Sequence, residues 1–174
     1  GRFTNALAQQ GCKTAIGVDL GDHGLNVAKQ FAKVNKIKNV KFIKASVLKL
    51  PFENSSFDFV FCKGVLHHTG NLYKGLSEIK RVLKKESHAF IYLYGSGGIF
   101  WDTRKWMRNV ISKIPIDYTI KVLRDIGMPS RRTIFVDSWY VPIEDHVNKD
   151  NLEKWFKKNN FLFEKYKNAK KTEL

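Results

Sequence analysis

Cysteine and proline are scarce in this chain, acidic residues are outnumbered, and long apolar runs are missing altogether. Cys12 and Cys62 lie far apart and form no CxxC pair, so neither a disulfide framework nor a zinc site is expected, and no metal enters the reading. A reducing cytoplasm is the expected location. No stretch approaches the roughly 18 apolar residues that a membrane-spanning helix needs. The longest, Ala89–Tyr94, has the length of a strand. The opening residues Gly1–Asn5 show no basic region followed by an apolar block, so no secretory signal is expected among them.

Against 16 Asp and Glu stand 31 Lys and Arg, giving a net charge of +15 and a pI near 9.8. A basic surface suits nucleic acid or anionic membranes. Only seven of the 31 are Arg, however, and nucleic-acid readers depend heavily on the guanidinium fork. The lysines are spread over what read as solvated helix faces and loops. We therefore read a general lysine bias first and an anionic partner second. With 43% hydrophobic residues, 174 residues suffice for one domain with a sizeable core.

Helix and strand periods alternate, which predicts an α/β domain with a mainly parallel sheet. Phe3–Gln10 reads as a short helix stopped by Gly11, and Thr14–Asp19 as a buried strand ending in an acid. Gly21–Asn35 is helical, with Leu25, Ala28, Phe31 and Ala32 on one face and Asp22 as its N-cap. Val40–Lys44 is a strand, and residues 45–56 a loop carrying Pro51. Phe57–Cys62 is a continuous apolar strand of the kind a central parallel sheet uses. An amphipathic helix over Leu72–Leu83 and a strand over His88–Tyr94 follow. Residues 99–128 read as two helices separated by Pro115, and 129–149 as irregular. A helix over Asn151–Asn159 and a strand over Phe161–Tyr166 then resume the core. Residues 99–149 are thus an expected helical insertion in a single domain spanning 1–174.

Three stretches carry a family resemblance. They are Gly17-Val18-Asp19-Leu20 before a helix, Leu50-Pro51-Phe52-Glu53-Asn54-Ser55-Ser56-Phe57-Asp58-Phe59-Val60, and Gly64-Val65-Leu66-His67-His68 with the later Glu78-Ile79-Lys80-Arg81-Val82-Leu83-Lys84. Together they resemble the class I S-adenosylmethionine (SAM)-dependent methyltransferases, in particular the small-molecule group that includes quinone-biosynthesis C-methyltransferases. The resemblance is strong over 1–94 and weaker over 139–163. It implies a Rossmann-like fold, SAM as cofactor, and methyl transfer to a small-molecule acceptor.

By that resemblance, Gly1 is the tail of the glycine-rich loop, and Asp19 with Leu20 meets the ribose. Ser46 and Val47 stand at the adenine, where the family usually has Asp before a small residue. Cys62 and Lys63 face the methionine part. His67 and His68 are the candidate general bases, with packing of the sheet–helix junction as the competing role. Independently of the family, an acid at a strand end can accept hydrogen bonds from both ribose hydroxyls. Asp58 is expected to orient loop amides, and Phe52 to pack under its loop. The fold is expected to be truncated at both ends. Its central first strand is expected to precede Gly1, which predicts either a gap between the strands ending at Asp19 and Cys62 or a non-family pairing that closes it. An RNA methyltransferase, a nicotinamide dehydrogenase and a non-catalytic remnant of the fold remain open alternatives.

Overall fold

Short β-branched and aromatic runs separated by amphipathic segments produce alternating strands and helices. The computed structural model describes residues 1–128 and 132–162. Their order is α1 (Arg2–Gln9), β1 (Ala15–Asp19), α2 (Asp22–Val34), β2 (Val40–Lys44), β3 (Phe57–Lys63), a 3-10 turn (Leu66–His68), α3 (Leu72–Val82) and β4 (Leu83–Tyr92). Helices α4 (Ile99–Ile111), α5 (Ile116–Asp125), α6 (Arg132–Tyr140) and α7 (Lys149–Lys158) complete the series. The chain divides into two compact units, one of Gly1–Leu93 with Ile143–Asp145, the other of Tyr94–Pro142 with His146–Leu174.

In the first unit both strand pairs are parallel. β1 runs beside β2 in a register from Ala15↔Val40 to Asp19↔Lys44. β3 runs beside β4 from Phe59↔His88 to Lys63↔Tyr92. Among the described residues β1 and β3 share no register, so the sheet consists of two separate pairs, as expected at that position. β4 begins earlier than His88 because Leu83 already pairs with Phe57. The polar run between them breaks the ladder, with Glu86 at φ 62°.

Helix α1 bridges the two pairs. Gly17 makes room for it, since a Cβ there would lie 2.7 Å from Thr4 Oγ1 and 2.9 Å from a Phe42 ring carbon. On β3, the Phe61 ring lies 4.5 Å from that of Phe3. Asn5, buried, donates through Nδ2 to Ala28 O at 3.2 Å and joins α1 to α2. Helix α3 supplies most of the remaining core: Leu72, Leu76, Ile79 and Val82 recur at helical spacing and are buried, with Leu66 of the 3-10 turn beside them.

One edge of α3 fastens the loop that leads into β3. Glu78 Oε2 accepts the Leu50 N–H at 2.8 Å. The Arg81 guanidinium grips both Glu78 oxygens at 2.8 Å and donates to Leu50 O (3.0 Å), Phe52 O (2.7 Å) and Asn54 Oδ1 (3.1 Å). Behind that hold, Phe52 packs edge-on to Phe57 with centroids 4.8 Å apart, the role expected of it.

Several local expectations change. Gly21, not Asp22, is the N-cap of α2; Asp22 is its first residue and pairs with Lys44. Asp58 is exposed and bound to Lys84 at 2.7 Å instead of to loop amides, and that ammonium holds its carboxyl below the usual carboxylate range. The stretch expected to be irregular contains α6. Phe161 and Leu162 lie outside any strand, and residues 163–166 of the strand expected there fall outside the described residues. Helix α7 starts earlier than Asn151 because Asn148 Oδ1 accepts the N–H groups of Asp150 (2.9 Å) and Asn151 (3.2 Å).

The Glu78–Arg81 pair has a pH signature. Hydrogen bonds from Arg81, joined by the Leu50 N–H, bring the Glu78 carboxyl down from 4.5 to about 2. A carboxylate whose folded pKa is depressed stabilises the fold above its unfolded pKa and loses that contribution as pH falls. The loss is expected to run from about pH 4.5 down to about 2, from the span of that shift. Glu78→Gln should destabilise by about 1–2 kcal/mol at neutral pH, the worth of charge-assisted hydrogen bonds reduced by solvent screening. Urea titration of both forms at pH 7 and pH 3 should show the gap narrowing at low pH.

Candidate cofactor site

Parallel pairing puts the ends of β1 and β2 side by side, and with them the residues the sequence singles out. Asp19 closes β1. Its backbone carbonyl accepts the Ala45 N–H at 3.0 Å, which draws the loop after β2 against it. Its carboxylate is exposed, and Oδ1 accepts the Gly21 N–H at 2.8 Å. The other oxygen, Oδ2, has no hydrogen-bond partner among the described residues. It lies 3.7 Å from where a Cβ of Gly24 would stand. One oxygen therefore shapes the turn while the other faces an approach that two glycines leave open. Leu20, next in the chain, is largely exposed.

Ser46 is committed locally. Its hydroxyl accepts the Leu48 N–H at 3.1 Å and its carbonyl the Lys49 N–H at 3.1 Å, so Ser46 and Val47 form a tight turn after β2. That leaves the hydroxyl as a supporting group for the turn, with Val47 half-buried beside it.

At the β3 end, Cys62 is buried, and desolvation pushes its thiol up to about 11. It is a neutral thiol at physiological pH, unsuited to nucleophilic attack or metal binding. Lys63 is exposed, with its ammonium 5.5 Å from the centre of the Phe3 ring. Through Phe3 the first turn of α1 meets the end of β3, which brings the neighbourhood of Gly1 to Lys63. Gly1 packs so tightly on α2 that a Cβ would fall 2.0 Å from Ala28 Cβ.

The two histidines separate. His67 is completely buried, and its carbonyl accepts the Asp145 N–H at 2.7 Å. The His68 ring stands nearly perpendicular to that of His67, with centroids 4.3 Å apart. His68 Nδ1 lies 2.8 Å from Ile143 O. A carbonyl can only accept, so Nδ1 donates its proton to Ile143 O. Of the two histidines, only His68 is partly exposed.

A cavity of about 400 Å³ lies between α1 and α2, lined by Gly1, Asn5, Gly24, Ala28 and Phe31 among others. Asp19, Ser46, Val47, Cys62 and Lys63 do not line it, while Gly1 does and Gly24 borders both the cavity and the Asp19 carboxylate. Sequence reasoning missed the Phe3–Lys63 contact and the strap Ile143–Asp145 on the histidine turn. Both join residues remote in sequence, and no local period marks them.

The two cysteines should report this arrangement chemically. Cys12 is exposed and Cys62 buried. Iodoacetamide at pH 8 is expected to alkylate Cys12 at least about tenfold faster than Cys62, because the thiolate is the reactive form and burial suppresses it. Peptide mass spectrometry over a time course checks the order; equal rates would contradict the buried environment.

A family model described as "Methyltransferase domain" matches residues 1–91. The uncharacterised methyltransferase YcgJ of Bacillus subtilis is 37% identical over 71 residues, which are 41% of this chain and 28% of that protein. The demethylmenaquinone methyltransferase of Lactococcus lactis is 39% identical over 69 residues, 40% of this chain and 27% of that one. Among solved structures, a methyltransferase-like protein from Bacillus halodurans superposes with a TM-score of 0.63 at 21% identity, covering 91% of this chain and 57% of that chain. YcgJ itself superposes with a TM-score of 0.60 at 22% identity, covering 84% and 52%. The structural likenesses show a shared fold. The chain spans about half the length of those structures and little more than a quarter of the curated relatives it matches. With the family model matching more than half of it, the chain belongs to the methyltransferase domain family.

Proposed function

We propose that this chain binds SAM and transfers its methyl group to a small-molecule acceptor. The observation that carries the reading is Asp19: a strand-end carboxylate with one oxygen fixing the turn at Gly21 and the other open beside Gly24. Such an acid suits a ribose diol, which offers two hydroxyl donors. The donor set fits the rest of the cofactor too. Leu20, Ser46 and Val47 would line the adenosine, with Val47 as apolar wall, while Gly1, Cys62 and Lys63 would bracket the methionine part.

SAM supplies a methyl group already activated on a sulfonium. The chain's own residues then have to orient the acceptor, exclude water and, where the acceptor carries a proton, remove it. His68, held through Nδ1 by Ile143 O and partly exposed, is our choice for that proton. His67 holds the turn in place. The neutral Cys62 thiol contributes shape instead of charge.

Two relatives bear names that mention small acceptors, demethylmenaquinone and phosphoethanolamine, which supports a small molecule over a nucleic acid. Two free cysteines support a cytoplasmic location.

Asp19→Ala in the full-length protein should weaken SAM binding at least about tenfold, since hydrogen bonds to a charged group contribute about 1.5–3 kcal/mol. Isothermal calorimetry measures it, with a thermal melt to confirm folding because Asp19 also holds Gly21. Unchanged affinity would remove the assignment. A thermal-shift panel of SAM, S-adenosylhomocysteine and NADH separates the readings: stabilisation by NADH alone would replace methyl transfer with a dehydrogenase.

A further inference from the structure

Helix α4 is built the wrong way round for a helix that packs its apolar face inward. At 100° per residue, Ile99, Phe100, Trp106, Met107 and Val110 share one arc, interrupted only by Thr103. All five are exposed, Ile99 at 86% and Trp106 at 67%, and α4 has no buried residue. Trp101, Arg104 and Arg108 take the opposite side: Arg104 lies 5.4 Å over the Trp101 ring, and Arg108 donates to Val141 O. Ile99, Thr103, Trp106 and Val110 follow one another at spacings of four, three and four, the seam spacing of helices that pair with helices.

The rim of the stripe is self-complementary. Asp102 flanks it near one end and Lys113, in the turn that ends α4, near the other, both on the side of Trp106. Both are exposed, and neither side chain has an ion-pair partner among the described residues. Turned antiparallel, a second α4 brings its own Lys113 to Asp102 and its own Asp102 to Lys113. The same operation sets Phe100 against the partner's Ile114, itself exposed, and Trp106 against the partner's Val110. The midpoints of all three pairs fall at residues 107–108, so a single two-fold axis satisfies them together. Charge on this face is close to balanced. Lys105, Lys113, Lys121 and Arg124 are exposed on α4, α5 and the turn between them, against Asp102, Asp117 and Asp125, in a chain of +15. So balanced a rim offers an acidic partner little, and most of the excess positive charge sits on other elements.

We infer that α4 is a homodimer contact: two copies pair their stripes antiparallel across a two-fold axis at residues 107–108. Aromatic and Met side chains at the centre, with charges kept to the rim, are the composition of an interface core. Six large side chains on one helix face make a contact near the small end of stable interfaces, which bury about 1,200 Å² in total, so a micromolar dissociation constant is expected. Pairing through α4 is independent of the cofactor reading.

Sedimentation equilibrium of the full-length protein over a micromolar dilution series is expected to show a monomer–dimer balance at physiological ionic strength, where repulsion between the two basic chains is screened. The double variant Trp106→Ser, Val110→Ser should raise the dissociation constant at least about tenfold, because an aromatic at the centre of a contact carries much of its energy. Circular dichroism confirms that each variant is folded. The deciding arm is a charge exchange. Asp102→Lys and Lys113→Asp each set like charges together in their own homodimer, and each should weaken it by about threefold or more. Mixed in equal amounts, the two variants regain both opposite-charge pairs, so a heterodimer is expected in preference to either homodimer. A monomer at every concentration overturns the inference, and flotation of that monomer with phosphatidylcholine vesicles would give the stripe to a lipid surface. A dimer that the Trp106/Val110 variant leaves intact overturns it too, as do charge variants that associate no better mixed than alone.

Discussion

The ion pair between Glu78 and Arg81 is the interaction on which the first unit most depends. It lies on one edge of α3, whose opposite face buries Leu72, Leu76, Ile79 and Val82. Its guanidinium satisfies three acceptors of the loop before β3, and its carboxylate holds the Leu50 amide. Without it, the part-buried Leu50 amide and the Leu50 and Phe52 carbonyls would lose their partners together. The loop is thus pinned at both Leu50 and Asn54 just before β3 begins its pairing with β4. Cys62 and Lys63 close β3.

A second constraint comes from parallel pairing itself. Neighbouring parallel strands finish at the same edge, so the residues after them collect there whatever their distance in sequence. Asp19 and the turn at Ser46 meet for this reason, joined by the bond from Ala45 to the Asp19 carbonyl. Helix α1 carries the connection to β3, since Phe3 touches Phe61 on one side and Lys63 on the other. The small residues Gly1, Gly17 and Ala28 let α1 approach that closely. A side chain at Gly1 or Gly17 would collide with that packing.

The second unit obeys a different rule. Thr119 and Leu123 of α5 are buried and Tyr140 of α6 closes on Thr119 Oγ1 at 2.6 Å and on Ile114 O at 3.0 Å, so α5 and α6 hold each other by a mixed polar and apolar contact. α4 is tied to the residue that follows α6 by the bond from Arg108 to Val141 O, which turns Arg108 inward. The outward face is left to the aromatic and aliphatic residues.

Much of this was legible before any coordinates. The apolar run of β3, the acid closing β1, the spacing of Leu72, Leu76 and Ile79, and the helix break at Pro115 all follow from short-range chain physics. Periodicity and a proline's missing donor act within a few residues. The loop and strand Leu50–Val60 and the turn Leu66–His68 carried the family resemblance for the same reason: their residues are contiguous. Other features needed the folded chain. That Asp58 would find Lys84, that Gly21 would cap α2 in place of Asp22, and that Ile143–Asp145 would return to the histidine turn depend on residues brought together from different elements. So does the burial that splits His67 from His68, and the inversion of α4. Sequence pattern fixes which side of a helix is apolar; only the tertiary contacts of Arg104 and Arg108 decide which side faces solvent.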